Sequence, residues 1–339
     1  MLKIVLVDDS AVVRAVVRDI FHATGDIAVV GEAENGKEAV ALTEQLKPDL
    51  IVMDIMMPVM DGLTAIEEIM ARFPTPILVL SATMDERHVD YAFAAIKKGA
   101  LDVMEKPHLS GLHCGSSFAA SIVEKARILA RVRVIRRWPT RATRVELKND
   151  YQKGRRDILA IGASTGGPKA VMSIMKSLPA DFRATIFIVQ HIASGFARGF
   201  AQWLDRNSGV KVRLAADGQA FGKGEAFVAP NDCHMVLEKG KIRLVQAEPV
   251  NCCRPSIDVF FNSLAEEEGS RVVGVLLTGM GRDGARGLRH VKDKGGFTMV
   301  QDETSCTVFG MPKAAIALDA ADEILPLLSI PEAITKIFA

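Results

Sequence analysis

Two apolar rhythms alternate along the chain. Short apolar runs take turns with stretches in which apolar residues recur every three or four positions, which is strand–helix alternation. In the N-terminal part the runs are Lys3–Val7, Ile27–Ala33, Leu50–Met53, Ile77–Ser81 and Asp102–Glu105. Helical spacing fills the intervals, at Ser10–Ala23 (Val13, Val16, Val17, Ile20), Gly36–Gln45, Asp61–Arg72 and Asp85–Lys98, with Ser10 as a candidate N-cap. Five strands alternating with helices predict a parallel, doubly wound sheet with a ligand site at the carboxyl ends of its strands.

Phe118, Ile122, Ala126, Leu129 and Val132 extend the helical spacing, so a last helix is predicted from Ser116 to about Val132. The chain then turns polar and irregular to Arg156, which reads as a linker. Trp138, inside it, reads as a packing residue. Apolar strands resume at Asp157–Ala163 and Thr185–Val189, then Val210–Leu214, Glu225–Ala229, Val272–Leu277 and Phe297–Val300. Met235–Leu237 and Ile242–Val245 read as a hairpin turning at Glu238–Lys241. Helical patterns lie between and after them. The expected architecture is α/β: a core domain at 1–107, a last helix and basic linker at 108–156, and a mostly parallel domain with an antiparallel hairpin at 157–339.

Charge sharpens this division. Residues 1–107 carry 10 Lys and Arg against 18 Asp and Glu, residues 108–156 carry 12 against 3, and residues 157–339 carry 20 against 20. The basic stretch is short and shows no helix-turn-helix pattern, so it reads as a linker and not a nucleic-acid surface. No apolar run approaches the roughly 18 residues of a membrane span. Five cysteines without metal-ligand spacing read as reduced thiols, so a cytoplasmic protein is expected.

Polar residues cluster where the first module's strands end: Asp8 and Asp9, Asp54, Ser81 and Lys106. Three carboxylates in one crevice need a cation, and oxygen donors suit Mg²⁺. A carboxylate held there can attack a phosphoryl donor while the lysine and hydroxyl stabilise the product. VDDS, MDIMMP-x-MDG, LSA and EKP, in that order and spacing, resemble the receiver domain of bacterial two-component response regulators. The resemblance implies Asp54 as phospho-acceptor, and Asp8 and Asp9 as Mg²⁺ ligands with the backbone of Met56. It implies Ser81 and Lys106 as phosphate readers, and a cis peptide before Pro107. Receivers usually carry an aromatic switch three positions before the lysine; Val103 stands there, so a rotating ring does not carry the signal.

In the second module three strand ends carry Ser164, His191 and Asp283. The first is Gly162-Ala163-Ser164-Thr165-Gly166-Gly167-Pro168, a strand, a tight turn and a helix start. A neutral imidazole can take a serine's proton, and a carboxylate on its other nitrogen fixes the tautomer. Glycine-rich turns at Ser164 and Met280 free N–H groups for an oxyanion. Each residue has a plainer reading. Ser164 could cap a helix, and Asp283 could cap the helix running to about Asp293. His191 competes for the base role with His234, in the hairpin, and His290, on a helix. The order Ser, His, Asp differs from that of α/β-hydrolases. A nicotinamide-binding loop would want G-x-G-x-x-G after the first strand and an acid closing the second, whereas here that loop is Gly162-x-x-x-Gly166-Gly167 and the second strand closes with Gln190-His191.

IGASTGGP, IVQH, APND-x-H, RPSID-x-F and LTGMGRDGA resemble the methylesterase domain of the CheB chemotaxis family across nearly all of 157–339. The resemblance implies a hydrolase that removes methyl esters from glutamate side chains of methyl-accepting chemoreceptors and deamidates receptor glutamines. It implies Ser164 as nucleophile, His191 as base, Asp283 as its partner, and Thr165 and the Met280 N–H as oxyanion groups. A chemosensory histidine kinase would be the phosphodonor. The receiver would cover the Ser164 cleft until Asp54 is phosphorylated. Mg²⁺ would serve the receiver, and the ester chemistry would need no cofactor. No nucleic-acid partner and no membrane insertion are expected. The alternative is a non-enzymatic module that binds receptors or drains phosphoryl groups from a kinase.

Overall fold

The computed structural model describes residues 1–81, 86–107, 116–132, 134 and 156–339, with backbone alone at 86–89, 116 and 117. The linker's Trp138 and the expected helix start at Asp85 lie outside the described residues. The chain forms two compact units, within residues 1–140 and 141–339.

The first unit has five strands, β1 (Leu2–Val7), β2 (Ile27–Ala33), β3 (Leu50–Asp54), β4 (Ile77–Ser81) and β5 (Asp102–Glu105). Between and after them run α1 (Ala11–His22), α2 (Gly36–Leu46), α3 (Gly62–Arg72), α4 (Glu86–Lys98) and α5 (Ser116–Leu129). All pairs are parallel, in the order β2-β1-β3-β4-β5. β3 and β4 are buried along their whole length, as strands covered on both faces must be. Ser10 caps α1 by accepting from the Val13 N–H, and Asp61 caps α3 through the Thr64 N–H. Val13, Val17 and Phe21 of α1 pack with Ile4, Leu6 and Leu50, and with Ile122, Ala126 and Leu129 of α5. The cis peptide expected before Pro107 is not found; among the described residues the cis bond is Arg254–Pro255.

The second unit is built on seven strands, in the order β14-β13-β12-β6-β7-β9-β8. They are β6 (Ile158–Ala163), β7 (Thr185–Gln190), β8 (Lys211–Leu214), β9 (Glu225–Val228), β12 (Val272–Leu276), β13 (Phe297–Gln301) and β14 (Glu323–Leu325). Every pair is parallel. The antiparallel component is a separate hairpin of β10 (His234–Glu238) and β11 (Lys241–Val245). Its turn holds Lys239 and Gly240 at φ 51° and 70°, the primed geometry that matches strand twist.

The helices are α6 (Gly167–Ser177), α7 (Phe196–Asn207), α8 (Ile257–Glu268), α9 (Ala285–Asp293), α10 (Met311–Ala317) and α11 (Ile330–Phe338). β14 is missing from the sequence reading, because three residues are too few to show a period. Phe187, Phe227, Phe260 and Phe261 pack ring against ring inside the core. β6 lies between β7 on one side and β12 on the other, so the chain changes direction across the sheet there. Ligand crevices form at such a point. Among the described residues no helix is long and apolar enough to cross a membrane.

Candidate active site and phosphoacceptor site

In the first unit the sheet's carboxyl edge gathers the predicted side chains. Asp8, Asp54 and Ser81 are buried, and Asp9 is exposed. Lys106 Nζ lies 2.7 Å from Asp8 Oδ2 and 2.8 Å from Asp54 Oδ2. The Ile55 N–H donates to Asp54 Oδ1 at 2.7 Å. Burial raises the Asp54 carboxyl despite the Lys106 ammonium beside it. Burial opposes charge on Lys106 too, but its bonds to Asp54 and Asp8 win and raise it. The difference is that the ammonium has two carboxylates, whereas Asp54 has one cation and a like charge in Asp8.

Oxygens of Asp8, Asp9 and Asp54 lie within 4.8 Å of one another. Asp8 Oδ2 is buried, with the Lys106 ammonium 2.7 Å away. This all-oxygen set, with more carboxylate than ammonium charge, fits a divalent cation such as Mg²⁺. Met56 lies in the loop just after β3, its side chain half exposed. Val103 is buried in β5, as an apolar strand residue.

In the second unit, β6 and β7 pair with Ala163 opposite Gln190. Ser164 and His191 are the next residue on each strand, and the His191 N–H donates to Ala163 O at 2.9 Å. On the other flank the Ser164 N–H donates to Thr278 O at 3.0 Å. The turn is therefore tied to both neighbouring strands. Gln190, 2% exposed, braces it from beneath by donating from Nε2 to Ser164 O and His191 O, both at 2.8 Å. Gly166 takes φ 75°, and a Cβ there would sit 2.3 Å from Thr307 Oγ1. Ser164 itself is not among the positive-φ residues, so this turn is no strained nucleophile elbow.

His191 Nε2 is 3.0 Å from Asp283 Oδ2. That leaves Nδ1 for the other proton exchange, the reverse of the ring order in chymotrypsin-type triads. Nδ1 faces the Cys253 thiol at 3.6 Å; among the described residues no hydrogen bond joins it to the Ser164 hydroxyl. Such bonds often close only on substrate binding.

Asp283 does not cap the helix that follows it. Gly284 holds that position for α9, and the Asp283 carboxylate turns to the N-terminus of α8. It accepts from the Ile257 N–H (2.6 Å), the Ser256 hydroxyl (2.7 Å), the Asn251 amide (2.8 Å) and the Asp258 N–H (3.3 Å). Burial opposes its charge, but His191 and these donors hold the carboxyl below its usual range.

His234 is 1% exposed and structural. Its Nδ1 accepts the Ser256 N–H at 3.1 Å, so its Nε2 must be the protonated nitrogen, donating to Glu248 O at 3.0 Å. It thereby fixes the Ser256 that bonds Asp283. His290 lies on the surface of α9, with Asn262 and Glu266 as partners.

Thr165 is buried next to Ser164. The Gly279 N–H and C=O bond the 308–311 segment, which holds the Met280 loop beside the turn. Among the described residues the N–H groups of Thr165 and Met280 make no hydrogen bond.

A family model described as CheB methylesterase matches residues 159–334. The chain belongs to the CheB methylesterase family. A response regulator receiver domain model matches residues 4–113, completing the CheB arrangement. A protein-glutamate methylesterase/protein-glutamine glutaminase of Anaeromyxobacter dehalogenans is 41% identical, covering 99% of this chain and 97% of that protein. One of Archaeoglobus fulgidus is also 41% identical over the same shares. The CheB catalytic domain crystal structure from Thermotoga maritima is 39% identical with a TM-score of 0.51, covering 54% of this chain and 97% of that one.

Proposed function

We propose that this chain removes methyl esters from glutamate side chains of chemoreceptors, and deamidates receptor glutamines, under phosphorylation control. The observation that carries the reading is the 3.0 Å contact of His191 with a fully hydrogen-bonded Asp283, beside Ser164 on the neighbouring strand. Nδ1 exchanges the Cys253 thiol for the Ser164 hydroxyl and takes its proton as Oγ attacks the γ-carbonyl carbon. Asp283 stabilises the imidazolium. The oxyanion takes hydrogen bonds from the N–H groups of Thr165 and Met280, each worth about 3–4 kcal/mol in favourable cases. Collapse breaks the ester C–O bond, or the amide C–N bond of glutamine, and His191 gives the proton to the leaving group, releasing methanol or ammonia. Water, deprotonated by the same imidazole, then frees the acyl group from Ser164.

In the receiver, Asp54 accepts a phosphoryl group from a histidine kinase, and Lys106 and Ser81 hold the new phosphate. Asp8, Asp9, Asp54 and the Met56 carbonyl would hold Mg²⁺, which offsets phosphate charge when bound. Phosphorylation of Asp54 is the signal that raises the activity of the catalytic unit. A phosphodonor should then raise methanol release severalfold, since a gap of a few kcal/mol is enough to tip a two-state equilibrium. The deciding experiment is methanol release from methylated receptor membranes. Ser164→Ala should abolish it while leaving Asp54 phosphorylation intact; a binding module without catalysis would give no methanol in either protein.

A further inference from the structure

The turn Val250–Cys253 brings two side chains to the site, Asn251 against Asp283 and Cys253 against His191, and neither belongs to the Ser164, His191, Asp283 set. Val250 and Cys253 exchange backbone hydrogen bonds in both directions, at 3.1 and 2.9 Å. Asn251 and Cys252 between them have φ 52° and 62°, the primed turn geometry that asparagine tolerates well at its first central position. From there the Asn251 amide reaches inward and donates from Nδ2 to Asp283 Oδ1 and to Asp258 Oδ2, both at 2.8 Å. An amide nitrogen carries two hydrogens, so each carboxylate receives one.

Asp258 and Asp283 are 5% and 2% exposed, which leaves little water to screen one charge from the other. Burial first, and Asp283 among the other causes, raise the Asp258 carboxyl. The titratable groups around Asp283 are His191 from the end of β7 and Asp258 from α8; Cys253 lies behind His191, and His234 behind Ser256. Among these, Asn251 touches both buried acids. We propose that Asn251 is a positioning residue for hydrolysis: giving one amide hydrogen to each acid, it keeps Asp283 Oδ2 on His191 and holds Asp258 apart. It touches no reacting atom. The geometry also forbids an aspartate there, which would set a third carboxylate against two.

The inference rests on the triad reading above, and full-length variants separate the two. Asn251→Ala should lower kcat for methanol release about 10- to 100-fold with KM within about twofold, as for a residue that acts only on transition-state stabilisation. The Asp283 carboxyl should titrate at higher pH in the variant, read from its carbon-13 carboxyl resonance, because it loses a donor. Asn251→Asp, nearly the same shape, should lose more than about 100-fold at neutral pH. Circular dichroism and phosphodonor labelling of Asp54 verify folding; if the alanine variant does not fold, the aspartate variant decides. Wild-type kcat in the variant that folds, or a lower kcat with an unmoved Asp283 titration, would overturn the proposal. Retained activity in Ser164→Ala would instead overturn the triad reading beneath it.

Discussion

Asp54 and Asp283 make an instructive pair. Both end or follow a buried parallel strand, and they are 5% and 2% exposed. Yet the Asp54 carboxyl is raised and the Asp283 carboxyl lowered. Burial pushes both the same way, so the bonding decides. Asp54 has an ammonium and one backbone N–H. Asp283 has four donors around it besides His191, two of them backbone N–H groups at the start of a helix, where negative charge is favoured. Under the proposed function, the carboxylate that must form a new bond is left under-bonded, and the one that must hold still is saturated.

The most severe way to break this comparison is to make both acids amides. Asp283→Asn should cost roughly 10³- to 10⁴-fold in kcat with or without phosphodonor, because the imidazole loses its orienting anion. Asp54→Asn should leave basal methanol release unchanged and abolish its stimulation. A stimulated Asp54→Asn enzyme would show that control does not pass through that carboxylate.

A smaller effect is expected at Gly279, where an added Cβ would meet Ser164 Cβ at 2.7 Å and Met311 Sδ at 2.3 Å. Methionine can give way, but the serine backbone is tied on both flanks. Gly279→Ala should therefore lower kcat about 10- to 100-fold, with about 1–3 kcal/mol of overpacking in the catalytic unit's unfolding. Wild-type kinetics would mean that the Ser164 turn adapts.

The gentlest test is calorimetric. Asp283, with a lowered native pKa, stabilises its unit fully above the unfolded value of 3.8, and that contribution fades as pH falls through the native pKa. Asp54, with a raised native pKa, has the opposite sign: its protonated form favours folding, and that gain is lost as pH rises from 3.8 through the native value. At neutral pH, melting of the full-length protein should show Asp283→Asn lowering the catalytic unit's Tm and Asp54→Asn not lowering the receiver's. Tm shifts of the same sign for both would refute the contrast.

Much of this was legible along the chain. The strand–helix alternation marked both sheets, and Ser10 announced its helix. Asp8, Asp54 and Ser81 were visible at strand ends because apolar runs stop there. Ser164 and His191 were visible for the same reason, one residue past paired strands. The sequence misled where a local role competed with a distant one. Asp283 stands where a residue caps the next helix, yet its carboxylate serves the start of α8, some 25 residues earlier in the chain. Asn251 and Cys253 lie in an irregular loop, with no period to mark them.

By itself the sequence determined the elements, their parallel pairing and the residues at each strand's end, since period and composition are local properties of the chain. Only the tertiary structure decided which nitrogen of His191 meets Asp283, that His234 is a neutral strut, and that an asparagine stands between two buried acids. Those outcomes depend on how many donors converge on one dry carboxylate from three separate segments. That number is a property of packing in three dimensions, and no stretch of sequence contains it.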